Sequence, residues 1–383
     1  MRSRKRKVQV SKVNHYVIDG RTATDHFPGI GRYVVNLSQA LSQISPDRSI
    51  SLLHAASASS TRLSLPALPR IECSVSPFSI RQQWIVPGKL RRAQATLYHS
   101  PYYLMPYVPG IPAVLTCYDL IPLIYPQYFS LLKRLVYWVA HTLAFKTARM
   151  ILTISQTTKD DLIYYFHLDP KRIIVTPLAA DPHFQPQSHD RIAAVRRRYA
   201  LPEKYVLYVG SNKPHKNLQR LIEAWKIAEC GMRNAECKLV IAGHWDERYP
   251  EAKKRTEELA LTDHVIFAGP VEDSNLPALY SGAQLFVFPS LYEGFGLPVI
   301  EAMACGVPVL CSSVSSLPEV TGDAALLVDP LDVNSLAAAM NRLLADEVLR
   351  REMSRKGLVQ AGKFSWERTA RETVNVYTGV VNQ

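Results

Sequence analysis

Residues 285–288 and 307–311 are two short apolar runs, so the segment between them must leave one buried strand and return to another. It reads Pro289-Ser290-Leu291-Tyr292-Glu293-Gly294-Phe295-Gly296-Leu297-Pro298-Val299-Ile300-Glu301-Ala302-Met303-Ala304-Cys305-Gly306. Pro298 suits the first turn of a helix, where its missing N–H is not needed, and Gly306 suits the left-handed residue that closes one. The spacing therefore predicts a loop over 293–297 that feeds a helix N-terminus at the carboxyl end of a strand. Glu293 is expected in the loop and Glu301 in the first helical turn.

Such a place gathers free backbone N–H groups and the positive end of a helix dipole, and Gly294 and Gly296 are expected to let a ligand approach the main chain. Phosphate is the natural occupant. A carboxylate beside a diphosphate is repelled, so Glu301 is expected to accept from a ribose diol and Glu293 to face a sugar ring. Phosphate, ribose and sugar together describe a nucleotide sugar.

The Glu-x7-Glu pair enclosing Gly-Phe-Gly-Leu-Pro, followed by Glu-Ala-Met-Ala-Cys-Gly-Val-Pro-Val, resembles the GT-B retaining glycosyltransferases of family 4, also called group 1, and among them bacterial polysaccharide mannosyltransferases. The resemblance implies an α/β fold with two doubly wound Rossmann-like domains facing across a cleft. It also implies a nucleotide-sugar site in the second domain and an acceptor site in the first.

Composition agrees with two globular domains, because 383 residues exceed one ordinary core. Residues 1–200 hold 26 Lys/Arg against 10 Asp/Glu, whereas the remainder holds 19 against 23. A basic half suggests an anionic partner, and without any nucleic-acid-binding signature the expectation is an anionic membrane surface and no nucleic acid. Cys73, Cys117, Cys230, Cys237, Cys305 and Cys311 form no Cys-x-x-Cys pair and mostly sit in apolar segments, which suggests reduced thiols and a cytoplasmic setting, peripheral on the inner face of the cell membrane. The basic run at residues 2–7 reads as a solvated tail.

The expected domains are 8–182, a linker over 183–203, 204–363, and a C-terminal helix over 364–383 that returns to the first domain. In the first, residues 13–18 read as a strand, followed by a long loop containing Pro28-Gly29-Ile30-Gly31, which in the resembled family meets the donor diphosphate. Residues 45–92 carry little signal. The segments 96–101 and 113–122 read as two short strands, each ending in polar groups before a proline; in the second, the family commonly has His-Asp-Leu where this chain has Tyr118-Asp119-Leu120. Tyr118 is expected to hydrogen-bond the donor sugar in place of the histidine; Asp119 is open to an acceptor-side role or a turn-capping one. His99 reads as a cleft-wall residue. Residues 131–148 show helical apolar spacing interleaved with Lys133, Arg134 and Lys146; a helix lying on lipid would look like this, but the expectation is a helix packed on the sheet.

In the second domain, 205–210 reads as a strand leading to Ser211-Asn212-Lys213-Pro214-His215-Lys216-Asn217. By resemblance Lys216 contacts the diphosphate. The arginine that many members carry after the glycine is absent, so Ser211 stands there and Lys213 is its substitute. The turn around Val271 resembles the place where the base is held by main-chain groups. Gly294, Phe295, Gly296 and Leu297 complete the expected donor site, with Glu293 as the carboxylate nearest the transferred sugar. The expected reaction moves a hexose, mannose favoured, from a nucleoside-diphosphate sugar to a glycan or lipid-linked glycan. GDP-mannose is favoured over UDP-sugars, no other cofactor is expected, and the chain's lack of an Asp-x-Asp motif implies metal-independent chemistry. The competing expectation is a catalytically degenerate GT-B protein that binds a membrane or a partner.

Overall fold

The computed structural model describes residues 14–24, 28–44, 49–55, 68–231 and 237–382, so the basic run at 2–7 and the Cys230 side chain lie outside the described residues. The chain divides into two compact units, one comprising residues 1–117, 139–152 and 370–383, the other residues 118–138 and 153–369.

The first sheet contains β1 (His15–Asp19), β2 (Ser49–His54), β3 (Arg70–Glu72), β4 (Leu97–Ser100), β5 (Ala113–Cys117), β6 (Met150–Thr153) and β7 (Ile173–Val175), in the order β3-β2-β1-β4-β5-β6-β7. The pairs β1–β2, β1–β4, β2–β3 and β4–β5 are parallel. Apolar residues fill the central strands on both faces, as parallel sheets covered by helices require. Clusters of buried polar side chains interrupt this core. Arg21 is buried and bonds Asp19, which also accepts from Tyr98 Oη at 2.5 Å. His99 is fully buried, with its Nδ1 2.5 Å from Tyr377 Oη of the C-terminal helix and its Nε2 2.8 Å from Thr116 Oγ1. His99 is thus a core residue rather than a wall residue, and loss of water pushes its pKa down to about 3.

The second sheet contains β8 (Lys204–Val209), β9 (Cys237–Ala242), β10 (Val265–Gly269), β11 (Leu285–Phe288), β12 (Val309–Ser312) and β13 (Ala325–Val328), ordered β10-β9-β8-β11-β12-β13 and parallel throughout. Strand order reverses between β8 and β11, and the loops leaving these two strands carry Lys216 and Glu293. In doubly wound sheets that reversal is where ligands bind, outside the carboxyl ends of the strands.

Several local expectations need correction. Gly29 and Gly31 lie in the first turn of the Pro28–Ile44 helix rather than in a loop. Pro28 fixes a helical φ without needing its N–H, so the helix starts there. The 183–203 linker contains the His189–Arg198 helix, capped by Ser188, and its Val195 joins Phe184 in the core of the second unit. Four arginines on ten residues hid that helix's single buried position. The poorly marked 45–92 stretch supplies β2, β3 and the Gln82–Arg92 helix. The five described cysteine side chains are all buried.

Candidate active site

The loop after β8 reaches the site through a single turn of 3₁₀ helix, Pro214–Lys216, ended by Asn217 in the left-handed conformation at φ 63°. Asn217 then pins this loop to its neighbours, its Nδ2 donating to the carbonyls of Pro289 at 3.0 Å and Pro330 at 2.7 Å. The Leu291 N–H donates to the His215 carbonyl at 2.7 Å. Fixed this way, Lys216 points its Nζ at Glu293, 2.6 Å from Oε1 and 2.9 Å from Oε2. Lys216 Nζ also lies 5.4 Å from the centre of the Phe288 ring.

Glu293 is held by its main chain. Its N–H donates to Ser315 Oγ, and its carbonyl accepts from Ser315 Oγ at 2.6 Å and Ser316 Oγ at 2.9 Å. The following Gly294 is crowded by protein: a Cβ there would sit 2.1 Å from the Tyr118 carbonyl oxygen. Gly296 has φ 97°, and a Cβ there would meet Leu317 at 2.6 Å. These glycines therefore make room for Tyr118 and Leu317, which corrects the expectation that they make room for a ligand. Phe295 likewise turns inward, edge-on to Phe364 with ring centres 5.7 Å apart, so only its main chain is left to serve a donor.

The Leu297–Ala304 helix begins one residue before Pro298 and is followed by Gly306 at φ 74°. Glu301 falls in its second turn, one turn later than expected; it is buried and accepts from Tyr280 Oη at 3.0 Å. Tyr118 presents its carbonyl, which accepts from Thr158 Oγ1 at 3.1 Å. Asp119 caps the next turn, its Oδ1 accepting from the Ile121 N–H at 3.0 Å, while its carbonyl accepts from Tyr137 Oη at 3.1 Å. Loss of water, and then the charge of Glu293, push the Asp119 carboxyl above its usual range, which puts Asp119 electrostatically within the site.

Other expected residues are placed less centrally. Ser211 follows β8 and accepts from Tyr208 Oη through its carbonyl at 2.8 Å. Its neighbour Asn212 is a structural tie, donating to the Asp246 and Tyr249 carbonyls. Lys213 is exposed and its charge acts on both Asp119 and His215. Val271 follows β10 and packs partly against the core of the second unit. Gly29 and Gly31 belong to the first unit.

Sequence reasoning missed Asn217, Tyr292 and Asp161. Tyr292 Oη donates to Asp161 Oδ2 at 2.5 Å, from a position 131 residues away, and no local pattern announces that pair. Asn217 had a signal, as an Asn directly after the lysine and before a helix.

Two parallel sheets, of seven and six strands, with a paired lysine and carboxylate on the loops at the strand-order reversal of the second, define a GT-B α/β fold. A family profile described as Glycosyl transferases group 1 matches residues 193–359, and one described as Glycosyltransferase Family 4 matches residues 27–184. Over 375 residues the chain is 33% identical to O-antigen chain mannosyltransferase B of Escherichia coli, covering 91% of this chain and 95% of that protein. It is 32% identical over 283 residues to the serotype-specific mannosyltransferase WbdA of Escherichia coli, covering 71% of this chain and 35% of that protein, so it spans about a third of WbdA. Among solved structures, sucrose-phosphate synthase from Thermosynechococcus elongatus superimposes with a TM-score of 0.76 at 23% identity, covering 96% of this chain and 98% of that one. WaaG, a glycosyltransferase involved in lipopolysaccharide biosynthesis, does so with 0.71 at 18% identity, covering 95% and 100%. The chain belongs to the family 4, or group 1, glycosyltransferases. It is a glycosyltransferase.

Proposed function

We propose that this enzyme transfers mannose from GDP-mannose to a glycan or lipid-linked glycan during surface-polysaccharide synthesis, with retention of the anomeric configuration and without a metal ion. The observation that carries this reading is the 33% identity, over nearly the full length of both chains, to an O-antigen chain mannosyltransferase. In it, the protein works peripherally at the inner face of the cell membrane, where a lipid-linked acceptor is presented.

In the proposed mechanism the donor diphosphate draws the Lys216 ammonium away from Glu293. Lys216 and the N-terminus of the Leu297–Ala304 helix then carry the negative charge that grows on the leaving diphosphate. Glu293, released, accepts a hydroxyl of the transferred sugar and stabilises positive charge at its ring. The bond from the anomeric carbon to the diphosphate oxygen breaks, the acceptor oxygen takes its place, and the acceptor proton leaves with the diphosphate. Glu301 takes the ribose hydroxyls, with Tyr280 fixing its other lone pairs.

Thermal stabilisation against GDP-, UDP-, dTDP- and ADP-sugars, followed by transfer assays with the ligand that stabilises most, tests the reading. GDP-mannose is expected to raise the melting temperature in proportion to the logarithm of its concentration over its Kd. Selective stabilisation by another nucleotide sugar would overturn the donor assignment.

A further inference from the structure

The Leu131–Thr147 helix has two apolar faces, and only one of them is covered. Ala140, His141, Ala144 and Phe145 are buried. Leu131, Leu132, Leu135, Val136, Val139 and Leu143 are exposed, from 79% at Leu131 to 40% at Leu143, and Trp138 is 45% exposed. At 100° per residue these seven fall within an arc of about 160°, with the four buried residues on the opposite side. Lys146 lies inside the exposed arc and is itself exposed, whereas Lys133, also exposed, falls about 60° beyond its edge. A helix that only packed on a sheet would not repeat its apolar stripe toward water.

Charge identifies what covers this face. Between Glu72 and Asp160 the chain carries nine Lys/Arg and a single acidic residue, Asp119, which is turned inward to cap the Ile121 turn. A second copy of the same face would set basic residue against basic residue, and an acidic protein surface does not match an arc of leucine and valine. A bilayer with anionic headgroups satisfies both, taking the apolar side chains at the acyl boundary and Lys146 at the phosphates.

We propose that the Leu131–Thr147 helix lies in the surface of an anionic bilayer and thereby sets the depth of the active site. The same helix donates from Tyr137 Oη, on its inward side, to the Asp119 carbonyl at 3.1 Å. A helix with its side chains is about 10–12 Å across, so Asp119 lies roughly one helix diameter above the lipid boundary. That is headgroup depth, where the first sugars of a lipid-linked glycan stand, and the acceptor is reached without being drawn from the membrane. This purpose rests on the lipid-linked-acceptor reading above, whereas the docking itself does not.

The test is sedimentation of the purified full chain with vesicles rich in phosphatidylglycerol and with vesicles of phosphatidylcholine alone. The wild-type protein is expected to sediment with the anionic vesicles, and Leu132→Glu/Val136→Glu is expected to lower its partition by about tenfold or more. Both positions are well exposed, so the melting temperature of the double variant is expected to match wild type. A Leu132→Phe/Val136→Leu variant should retain partitioning. Wild-type protein left in the supernatant, equal sedimentation of the Glu variant, or equal sedimentation with phosphatidylcholine would overturn the proposal. Transfer to a water-soluble glycan is scored separately: its absence counts against the catalytic reading, and its persistence in the Glu variant shows docking alone was removed.

Discussion

Lys216 and Glu293, 77 residues apart, form a two-pronged ion pair with both side chains mostly withdrawn from water, at 16% and 10% exposure. The sequence directs each to a different part of a nucleotide sugar, yet in the structure each satisfies the other. A shielded pair of this kind keeps a cation and an anion poised together, as the proposed binding of a diphosphate beside a sugar requires.

Breaking the pair from one side leaves a charge without compensation. Lys216→Met is expected to destabilise the protein by on the order of 3 kcal/mol, because Glu293 is then an unpaired carboxylate in a poorly hydrated place. Glu293→Gln should be milder in stability, and Lys216→Met/Glu293→Gln should recover much of the loss of the single lysine variant. Denaturant melts of the four proteins give the coupling directly; additive losses would show that the pair contributes nothing.

Kinetics separate the two partners. Glu293→Gln frees Lys216, so donor affinity should hold or rise while kcat falls by about a hundredfold, the behaviour of a group that matters most when charge develops on the sugar. Lys216→Met should weaken donor binding as well as turnover. Equal losses in KM and kcat for both variants would argue against the division of roles.

Gly294→Ala tests the close approach of Tyr118. Its Cβ would lie 2.1 Å from a backbone oxygen, which cannot rotate away as a side chain would. A drop of several degrees in melting temperature is expected, along with loss of activity as the Glu293 loop shifts. Gly29→Ala meets nothing within 4 Å in a helical first turn, and should be neutral or slightly stabilising.

The central strands were legible because parallel strands buried on both faces read as apolar runs, as at 285–288 and 205–209, whereas the short edge strands and helix within 45–92 and the arginine-rich 189–198 helix were not. The strand-loop-helix at Glu293 was legible because Pro298 and Gly306 mark its ends. Pro298 marks a first turn without fixing its first residue, so Glu301 was placed a turn too early. The Lys216–Glu293 and Asp161–Tyr292 pairs left no trace, since each joins distant loops whose approach is decided by the sheet order. At Gly294 the sequence says only that a Cβ is unwelcome, and the fold shows that Tyr118 excludes it. The exposed arc of the 131–147 helix was half legible, because apolar spacing alone does not say which of two faces meets the core.

Acid should act through buried histidines. His99 is pushed down to about 3 by loss of water, and His215 to about 3 by loss of water and the charges of Lys216 and Lys213. Because the folded pKa lies below the unfolded one, near 6.5, the unfolded chain binds a proton that the folded chain refuses. Stability is therefore complete above pH 6.5 and declines as pH falls toward 3, by about 1.4 kcal/mol per pH unit for each histidine. His99→Gln should reduce that slope by one proton's worth, even though it lowers stability at neutral pH through the lost bond to Tyr377 or Thr116. An unchanged slope between pH 6 and about 4 would mean that His99 is hydrated and charged in the folded protein.

Asp119 titrates in the opposite sense, and its variant separates stability from turnover. Its folded pKa is raised, so its carboxyl favours folding below the usual carboxylate range and opposes it progressively as pH rises through the shifted value. Asp119→Asn keeps an oxygen to accept from the Ile121 N–H and removes the charge facing Glu293. The variant should melt no lower than wild type at pH 7, and the two should converge in acid. If Asp119 also serves the acceptor, the same variant loses turnover while its donor-induced stabilisation is unchanged. A variant that melts well below wild type at pH 7 would show that the charged carboxylate is held favourably, by a cation such as Lys213, and that desolvation is not the dominant effect.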